Sequence, residues 1–434
     1  MNTQDAVKDL RALSRLINTS IDQIENEMLS RGQTYPLLSE PYSPETEEPR
    51  MAPDILAAGS IITAAAAQLI ASVRIPVASA LVTSLQYEVS SSLRGAIQAH
   101  VPEILREFGN KGLHVRDIAA HTKVDPSRLG RILRLLATNH IFTEISPDVF
   151  IHNRLSSILD TGKPLAEILS DPVAKHDDTL GIVALFEQLS DLPMKASSYL
   201  SETLHDPRGA DNTAFHRALN TNLGYFSWLE LPENNYRHKQ FGASMNGVQN
   251  ITPPGSLLKG FNWETLPPQS TVVDVGSGIG SMSLELAGTF PHLNFVLQDT
   301  PATLANAMNF WSTELPEAVN TDRVVLQAHD FFETQPVKQP SVFLMRMILH
   351  DWSDDKAVNI LRHLCVAAGP ETQLVIVDKI LSYACTEDNF IGDIPGAVVE
   401  GLPPSPLLPN FGYAAVSWYL ADLVVGLLVL SLGD

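Results

Sequence analysis

Residues 271–290 read TVVDVGSGIGSMSLELAGTF, and this stretch decides the fold that the sequence predicts. Its first five residues are β-branched and apolar around one acid, a pattern that predicts a short strand. Glycines then predict a turn at which the backbone can approach a ligand closely. The remaining residues are typical of a helix. A strand, a glycine turn and a helix in this order indicate a nucleotide-type site, with candidate ligand contacts at Asp274, Gly276, Ser277, Gly278 and Gly280.

The turn departs from the dinucleotide-binding fingerprint, which would need glycine at position 281, where this chain has Ser281. The motif that stands here is D-x-G-x-G-x-G, with Asp274 two residues before the first glycine. A carboxylate at that point is badly placed for a pyrophosphate but well placed near an ammonium group. The turn therefore favours a ligand that carries positive charge.

Four more apolar runs predict strands that each end in polar residues. LNFVLQD ends at Asp299, which lies 19 residues past Gly280, where an acid can accept both ribose hydroxyls of an adenosine. The other runs are RVVLQAHDFF, ending at Asp330 in a neighbourhood that could hold an adenine, SVFLMRMILHDW, ending at His350-Asp351-Trp352, and QLVIVDKIL, ending at Asp378. Ligands of open α/β sheets bind at the carboxyl ends of strands, so these side chains predict one site. The alternative is surface turns that happen to carry Asp.

His350 is the candidate general base, because a histidine at the carboxyl end of a strand faces the ligand side of the sheet. Asp378 follows the next strand, close enough to orient His350 through its other ring nitrogen. A purely structural histidine is the alternative.

The sequence before residue 262 is predicted to be mostly helical. Residues 5–29 form an amphipathic stripe, and residues 32–53 are rich in Pro and acid without periodicity, which predicts a solvated linker. Residues 113–153 have the pattern of a winged helix: two helices, the second capped by Asp125, and a hairpin turning at residues 146–148.

Charge argues against a nucleic-acid partner. The chain has 434 residues with 29 Lys or Arg and 49 Asp or Glu, a formal net charge of −20. Arg128, Arg131 and Arg134 lie where a transcription factor reads bases, but residues 113–160 carry six basic and five acidic residues, far from the balance of a DNA-binding domain. A winged helix reused for packing is the expected interpretation.

The cysteine content and the apolar stretches bear on where in the cell the protein is expected. Two cysteines exclude a disulfide framework or a cysteine-rich zinc site, and we expect a cytoplasmic protein without a metal cluster. Residues 55–73 carry no charge and residues 414–432 carry one, so length alone would permit membrane spans. The first stretch is mostly alanine, which favours a buried or dimer-facing helix over a membrane partner.

Six strings together resemble one family: VVDVGSGIGS, FVLQDTP, HDFFE, MRMILHDWSDD, LVIVDKIL and, upstream, FGASMNG. They resemble the S-adenosylmethionine-dependent O-methyltransferases of plant phenylpropanoid and fungal secondary-metabolite type, over about residues 85–423. The resemblance implies an α/β Rossmann-like methyltransferase domain with a doubly wound, mostly parallel sheet, preceded by an α-helical winged-helix dimerisation domain. It implies a homodimer that methylates a phenolic hydroxyl of a small aromatic or polyketide metabolite, releasing S-adenosylhomocysteine, without a metal.

The resemblance also implies a role for each motif residue. The three glycines of the turn would hold the methionine part of the cofactor, Asp299 the ribose, and Asp330 with Phe331 the adenine. Arg346 falls where the family usually has a cofactor-contacting Lys, and Asp378 where many members have Glu. His350 would deprotonate the hydroxyl, next to Asp351. Substrate-wall positions are matched by Phe241 and Met245, with Phe226 and Trp228 nearby.

One departure from the family raises a second expectation. Members continue past YLADL into a Gly-x-Glu-Arg-Thr segment, a helix and two strands, whereas this chain runs VVGLLVLSLGD. We therefore expect that the last strands and the second acidic partner of His350 are missing, which would leave the fifth strand as an apolar edge. The alternatives to an active enzyme are an impaired relative that dimerises or binds ligands, and a winged-helix regulator. The predicted segments are 1–53, 54–262 and 263–434.

Overall fold

The computed structural model describes residues 3–206, 212–251, 255–385 and 401–429. The chain forms two compact units, which we name the helical unit (residues 1–199, 215–251 and 381–421) and the sheet unit (residues 200–214, 252–380 and 422–434). The segment 381–421 joins the helical unit because Leu407 is buried there with Leu13, Ala64 and Ala65. This grouping differs from a single 263–434 domain, and the proposed boundaries at 53 and 262 stay predictions.

The described helices, in chain order, are α1 (Thr3–Ser30), α2 (Pro44–Glu47), α3 (Pro53–Val73), α4 (Pro76–Leu85), α5 (Tyr87–Gln98), α6 (Val101–Phe108), α7 (Val115–Thr122), α8 (Pro126–Thr138), α9 (Arg154–Ser157), α10 (Leu165–Ser170), α11 (Ile182–Leu189), α12 (Leu192–Ser197), α13 (Leu200–Leu204), α14 (Ala214–Leu219), α15 (Tyr225–Leu229), α16 (Asn235–Asn250), α17 (Ser256–Gly260), α18 (Ser281–Thr289), α19 (Pro301–Glu314), α20 (Pro316–Asn320), α21 (Asp354–Ala367) and α22 (Val416–Leu428). The described strands are β1 (Leu113–His114), β2 (Thr143–Ser146), β3 (Val149–Ile151), β4 (Thr271–Val275), β5 (Asn294–Asp299), β6 (Val324–Ala328), β7 (Val342–Arg346) and β8 (Gln373–Val377).

The sheet unit contains a parallel sheet in the order β6-β5-β4-β7-β8. Alternate side chains of its central strands enter two cores, since successive residues of a strand point to opposite faces. Val272 and Leu344 pack in one core with α18 and α19, and Val273 and Phe343 pack in the other with α21. The predicted doubly wound α/β sheet is confirmed.

The strand order reverses between β4 and β7, and this point positions the candidate site. In an open parallel sheet the loops that follow the two strands at such a point diverge and leave a crevice at the carboxyl edge. The glycine turn follows β4, and the turn that carries His350 follows β7.

The expectation that the fourth strand of this sheet runs to His350 is wrong. β7 ends at Arg346, Met347 adopts a left-handed backbone with φ 54°, and residues 349–351 form a 3-10 turn. The Met347 N–H still donates to the carbonyl of Val377 at 3.0 Å, which ties the turn to the end of β8. Left-handed backbone at a non-glycine residue is strained, and such strain is concentrated at functional sites.

The winged helix of the helical unit is confirmed. β1, β3 and β2 form an antiparallel sheet beside α7 and α8, and the Asp125 side chain accepts the Arg128 N–H at 2.8 Å at the start of α8. Arg134 is committed to ion pairs with Glu144 at 3.2 Å and Asp148 at 2.6 Å on the hairpin. This arginine therefore packs the wing against its helix, as the packing interpretation expects.

The prediction of a solvated linker over residues 32–53 is wrong in part. The segment contains α2 and is anchored to α9, the helix that follows the winged helix: the Arg154 N–H donates to the Leu38 carbonyl at 2.9 Å, and the Tyr42 N–H donates to the Ser157 hydroxyl at 2.7 Å. The buried Arg154 side chain also pairs with Glu47 at 2.5 Å. These contacts join residues more than 100 positions apart, so local composition could not show them.

Helix α3 is long and apolar enough, by length and composition, to cross a membrane. One of its faces packs on α1 and buries Ile55, Ala58, Ala64 and Ala65, while its last turns and the following α4 leave large apolar side chains exposed. The second apolar stretch, residues 414–432, contains the 13-residue α22. Residues 430–432 of the stretch lie outside the described part of the chain.

Candidate active site

The glycine turn is held against β5 and the helix beyond it. The N–H groups of Gly276 and Ser277 donate to the Gln298 carbonyl at 2.9 and 3.0 Å. At Gly280, where φ is 76°, a Cβ would lie 2.5 Å from a Leu297 methyl carbon. At Gly278, where φ is 59°, a Cβ would meet no atom within 4 Å, so this is the open face of the turn.

Asp299 closes the turn from the end of β5. One carboxylate oxygen accepts the Gly278 N–H at 2.9 Å, and the other accepts the Thr300 N–H at 2.7 Å. A carboxylate has about four acceptor positions, so each oxygen retains capacity for a further donor such as a sugar hydroxyl.

Asp274 is a buried acid directly beneath the turn. Its burial raises the pKa to about 6, even though the Ser283 hydroxyl donates to the carboxylate at 2.6 Å; the charge of Asp299 raises the pKa further and that of Arg346 lowers it. A cationic group at the turn would favour the ionised form of Asp274.

Three aromatic rings form one wall of the carboxyl edge. Phe331, Phe332 and Trp352 meet edge to face, with ring centroids 4.8 to 5.8 Å apart. Asp330 starts this segment by accepting the Phe332 N–H at 2.9 Å. The sequence predicted Asp330 and Phe331 but missed the contributions of Phe332 and Trp352, although Trp352 stands directly after the His350-Asp351 pair.

His350 lies between two carboxyl groups. Its Nδ1 is 3.4 Å from Asp378 and its Nε2 is 3.4 Å from Asp351. Burial raises the pKa of Asp351 to about 6, with the charge of His350 lowering it and that of Asp378 raising it. Each ring nitrogen therefore faces a carboxyl group, whereas the sequence led us to expect Asp378 as the single acidic partner.

Arg346 ends β7 between the glycine turn and the His350 turn. Burial lowers the pKa of this guanidinium, and the charges of Asp274 and Asp378 act in the opposite direction. The sequence therefore placed the glycine turn, Asp299, Asp330, Phe331, Arg346, His350, Asp351 and Asp378 at the one sheet edge where the structure has them.

The four predicted substrate-wall residues all belong to the helical unit. The Phe226 and Phe241 rings lie 5.9 Å apart, and the Trp228 ring lies 5.6 Å from Phe215. Met245 follows on the same helix as Phe241 and is exposed. Aromatic side chains of this kind offer flat apolar surface to a planar ligand.

The residues of the sheet edge fit S-adenosylmethionine. The open face at Gly278 admits close approach of a ligand, Asp299 retains acceptor capacity for hydroxyls, Asp274 lacks a full counter-charge, and the aromatic wall suits a flat base. Among the described residues, no group of three or more His, Cys, Asp or Glu side chains could hold a metal ion.

This fold and site define a class I type of methyltransferase, and comparisons with known proteins identify the family. The O-methyltransferase domain family matches residues 198–389, and the O-methyltransferase dimerisation domain family matches residues 81–161. An O-methyltransferase of Armillaria gallica is 40% identical over 96% of this chain and 89% of its own length. The 4-O-methyltransferase 1 of Phanerochaete chrysosporium is 38% identical over 96% of this chain and 90% of its own.

Solved structures share the fold at lower identity. The mitomycin 7-O-methyltransferase MmcR superposes with a TM-score of 0.58 at 23% identity, covering 84% of this chain and 88% of its own. LepI in complex with S-adenosylmethionine has a TM-score of 0.64 at 18% identity, covering 88% and 85%. The chain belongs to the S-adenosylmethionine-dependent O-methyltransferases of fungal secondary-metabolite type. Because it spans about nine-tenths of its two relatives' lengths, the comparisons do not support the expectation of a missing C-terminal segment.

Proposed function

We propose that the enzyme transfers the methyl group of S-adenosylmethionine to a phenolic hydroxyl of a small aromatic or polyketide metabolite, with His350 as the general base. The observation that supports this most is the position of His350, which lies at the carboxyl edge of the sheet with Asp378 at one ring nitrogen and Asp351 at the other. The cofactor supplies a methyl group already activated on a sulfonium.

The remaining task of the protein is to prepare the nucleophile. In this proposal Asp378 accepts the N–H of Nδ1, and the lone pair of Nε2 takes the proton of the acceptor's hydroxyl. The hydroxyl then approaches on the side of Asp351, and the proton taken by Nε2 faces the Asp351 carboxyl, while Asp378 faces the other ring nitrogen. Phenols have a pKa near 10, so a base positioned at the hydroxyl is what turns them into nucleophiles at neutral pH.

Replacing the base tests this role. We expect His350→Gln to lower methyl transfer by about a hundred- to ten-thousandfold, the usual contribution of a general base, and to leave cofactor affinity nearly unchanged. The assay follows labelled methyl transfer to a panel of phenols and aromatic polyketides, and calorimetry follows the cofactor.

His292→Gln is the matched control, because His292 precedes β5 at the opposite edge of the same sheet. It should keep wild-type turnover. Equal turnover by wild type and His350→Gln would remove His350 from the mechanism.

We further propose that the enzyme is a homodimer, and that no nucleic acid, metal or membrane takes part in its activity. The match to a dimerisation domain supports the dimer, as do the exposed apolar side chains of α3 and α4. A cytoplasmic location stays a prediction from composition.

A further inference from the structure

Two glutamine side chains are hydrogen-bonded to each other inside the sheet unit. Gln298 lies on β5 directly before Asp299, Gln335 lies in the loop between β6 and β7, and both are buried. The Gln298 Nε2–H donates to Gln335 Oε1 at 2.8 Å, and the Gln335 Nε2–H donates to Gln298 Oε1 at 2.8 Å. We call this reciprocal contact the amide pair. It joins residues that are 37 positions apart in the chain.

The amide pair takes part in two further hydrogen bonds. Gln298 Nε2 also donates to Gln327 Oε1 on β6 at 2.8 Å, and Gln335 Oε1 also accepts the Val337 N–H at 3.1 Å. A backbone N–H can only donate, so the contact with Val337 fixes which atom of the Gln335 amide is the oxygen. A buried polar network that is matched in this way holds its members in one arrangement.

The loop between β6 and β7 carries one side of the candidate adenosine site. Asp330, Phe331 and Phe332 stand near the beginning of the loop, and Asp330 accepts the Phe332 N–H at 2.9 Å. The loop is attached to β5 on both sides of these residues. Before them, the His329 N–H donates to the Asp299 carbonyl at 3.1 Å, and after them comes the amide pair.

Gln298 also holds the glycine turn through its backbone. Its carbonyl accepts the Gly276 and Ser277 N–H groups at 2.9 and 3.0 Å, and the carboxylate of the next residue, Asp299, accepts the Gly278 N–H at 2.9 Å. The last two residues of β5 therefore contact the glycine turn on one side and the loop after β6 on the other.

Stability alone does not require two amides at this place. Replacing both members of a buried hydrogen-bonded pair by apolar groups of similar shape is nearly neutral, whereas replacing one member leaves the other unsatisfied at a cost. What two reciprocal hydrogen bonds add is direction, because they weaken steeply when the partners slide or rotate. The amide pair therefore fixes the position of the loop relative to β5.

We propose that Gln298 and Gln335 are positioning residues for the cofactor: their amide pair holds the loop that carries Asp330 and Phe331 at the distance from Asp299 that an adenosine spans. Both side chains are buried, so they act through these neighbours. The inference rests on the predicted placement of the ribose at Asp299 and of the adenine at the loop, and it does not depend on which hydroxyl is methylated.

The test separates cofactor affinity from stability with Gln298→Met, Gln335→Met and the double variant. Each single variant leaves one buried amide unsatisfied and should melt at a lower temperature than wild type, whereas the double variant should melt at a higher temperature than either single variant. All three should nevertheless bind S-adenosylhomocysteine at least about tenfold more weakly than wild type, the equivalent of one lost hydrogen bond to a charged group.

Calorimetry measures this affinity well below the lowest melting temperature, where every variant is folded. Gln327→Met is the matched control, because Gln327 also hydrogen-bonds Gln298 at 2.8 Å but stands on β6, outside the loop. Its side chain is only partly buried, so water can take over the hydrogen bond that the variant removes. This variant should bind S-adenosylhomocysteine as wild type does.

An affinity that returns to the wild-type value in the double variant would show that the amide pair only stabilises the fold, and would overturn the proposal. Wild-type affinity in either single variant would overturn it as well, so the test does not depend on the folding of the double variant. An equally large loss in Gln327→Met would also contradict it, because that residue does not attach the loop.

Asp299→Ala tests the placement on which the inference rests. If this variant binds S-adenosylhomocysteine like wild type, the ribose does not lie at Asp299 and the proposal fails with that placement. If Asp299→Ala binds weakly while the double methionine variant binds normally, the placement stands and the role of the amide pair alone is refuted.

Discussion

Asp274 is buried near the end of β4. Its protonated form favours the folded state, whereas its ionised form favours the binding of a cationic ligand. Its pKa of about 6 in the folded protein exceeds the value of about 3.9 for an unfolded chain, so between these pH values the folded state holds the extra proton. Stability therefore falls as pH rises through this window, by about 3 kcal/mol in total, and stays lower at neutral pH. The ionised form is the one that a cationic ligand needs.

From this we predict that cofactor affinity decreases as pH falls through about 6, approaching tenfold per pH unit below it, because Asp274 must lose its proton to pair with the ammonium group. Calorimetry between pH 5 and 8 measures it. Asp274→Asn should bind weakly at all pH values, lose this dependence, and be more stable than wild type at pH 7.

Asp299→Ala is the control for that experiment. It removes the acceptor of the Gly278 N–H and of the ribose hydroxyls, for which we expect a loss of about 2–4 kcal/mol of cofactor binding. The wild-type pH dependence should remain, because Asp274 is still present. A pH dependence that survives in Asp274→Asn would assign the titration to another group.

At the residue scale, the sequence predicted the acids at the sheet edge because each stands directly after an apolar run. It did not predict the ion pairs of Asp191 with Arg94 and Arg237, because the three residues are brought together only by the packing of α5, α12 and α16. It also gave no sign that Asp351 would contact His350 Nε2, since neighbours in sequence need not have side chains in contact.

At the element scale, the effect of an added Cβ can be compared at two glycines of the same turn. Gly278 and Gly280 both have left-handed backbone, but a Cβ at Gly280 would meet Leu297 and Trp311 within 2.7 Å, and one at Gly278 would meet nothing. Gly280→Ala should cost about 2–4 kcal/mol of stability through strain and overpacking together. Gly278→Ala should cost only about 1–2 kcal/mol.

We expect the order of the two variants in cofactor affinity to differ from their order in stability. Gly278→Ala puts a methyl group on the open face of the turn and should lower cofactor affinity strongly in a folded protein. Thermal unfolding and calorimetry measure the two effects separately. Equal stability losses in both variants would show that the contacts around Gly280 relax freely.

Strands and caps were predictable where local signals decide them. β4 and β8 coincide with β-branched runs, β5 coincides with an apolar run, and α8 begins at the Asp125 cap as expected. The end of β7 was not predictable, because the apolar run continues through Met347 and Ile348 while the backbone turns left-handed. Ile348 then packs on Gly276, a contact between two loops that no local pattern encodes.

At the scale of the whole molecule, the helical unit exposes apolar surface over one short stretch. Between residues 70 and 87, eight large apolar side chains are well exposed: Ile70, Val73, Ile75, Val77, Leu81, Val82, Leu85 and Tyr87. Exposed patches of this kind mark interaction surfaces, and the stretch overlaps the matched dimerisation domain. A second copy of the chain is the occupant that we propose.

Val77→Glu should therefore dissociate the dimer. In a twofold interface the substitution occurs twice, so it would bury two unpaired carboxylates, and we expect dissociation to become at least about a hundredfold easier. Val366→Glu on α21 is the matched control, because both valines are 78% exposed and only Val77 lies on the apolar stretch. Light scattering at micromolar concentration should find a dimer for wild type and Val366→Glu and a monomer for Val77→Glu. A monomeric wild type, or a Val77→Glu variant that remains dimeric, would show that this surface does not join two copies.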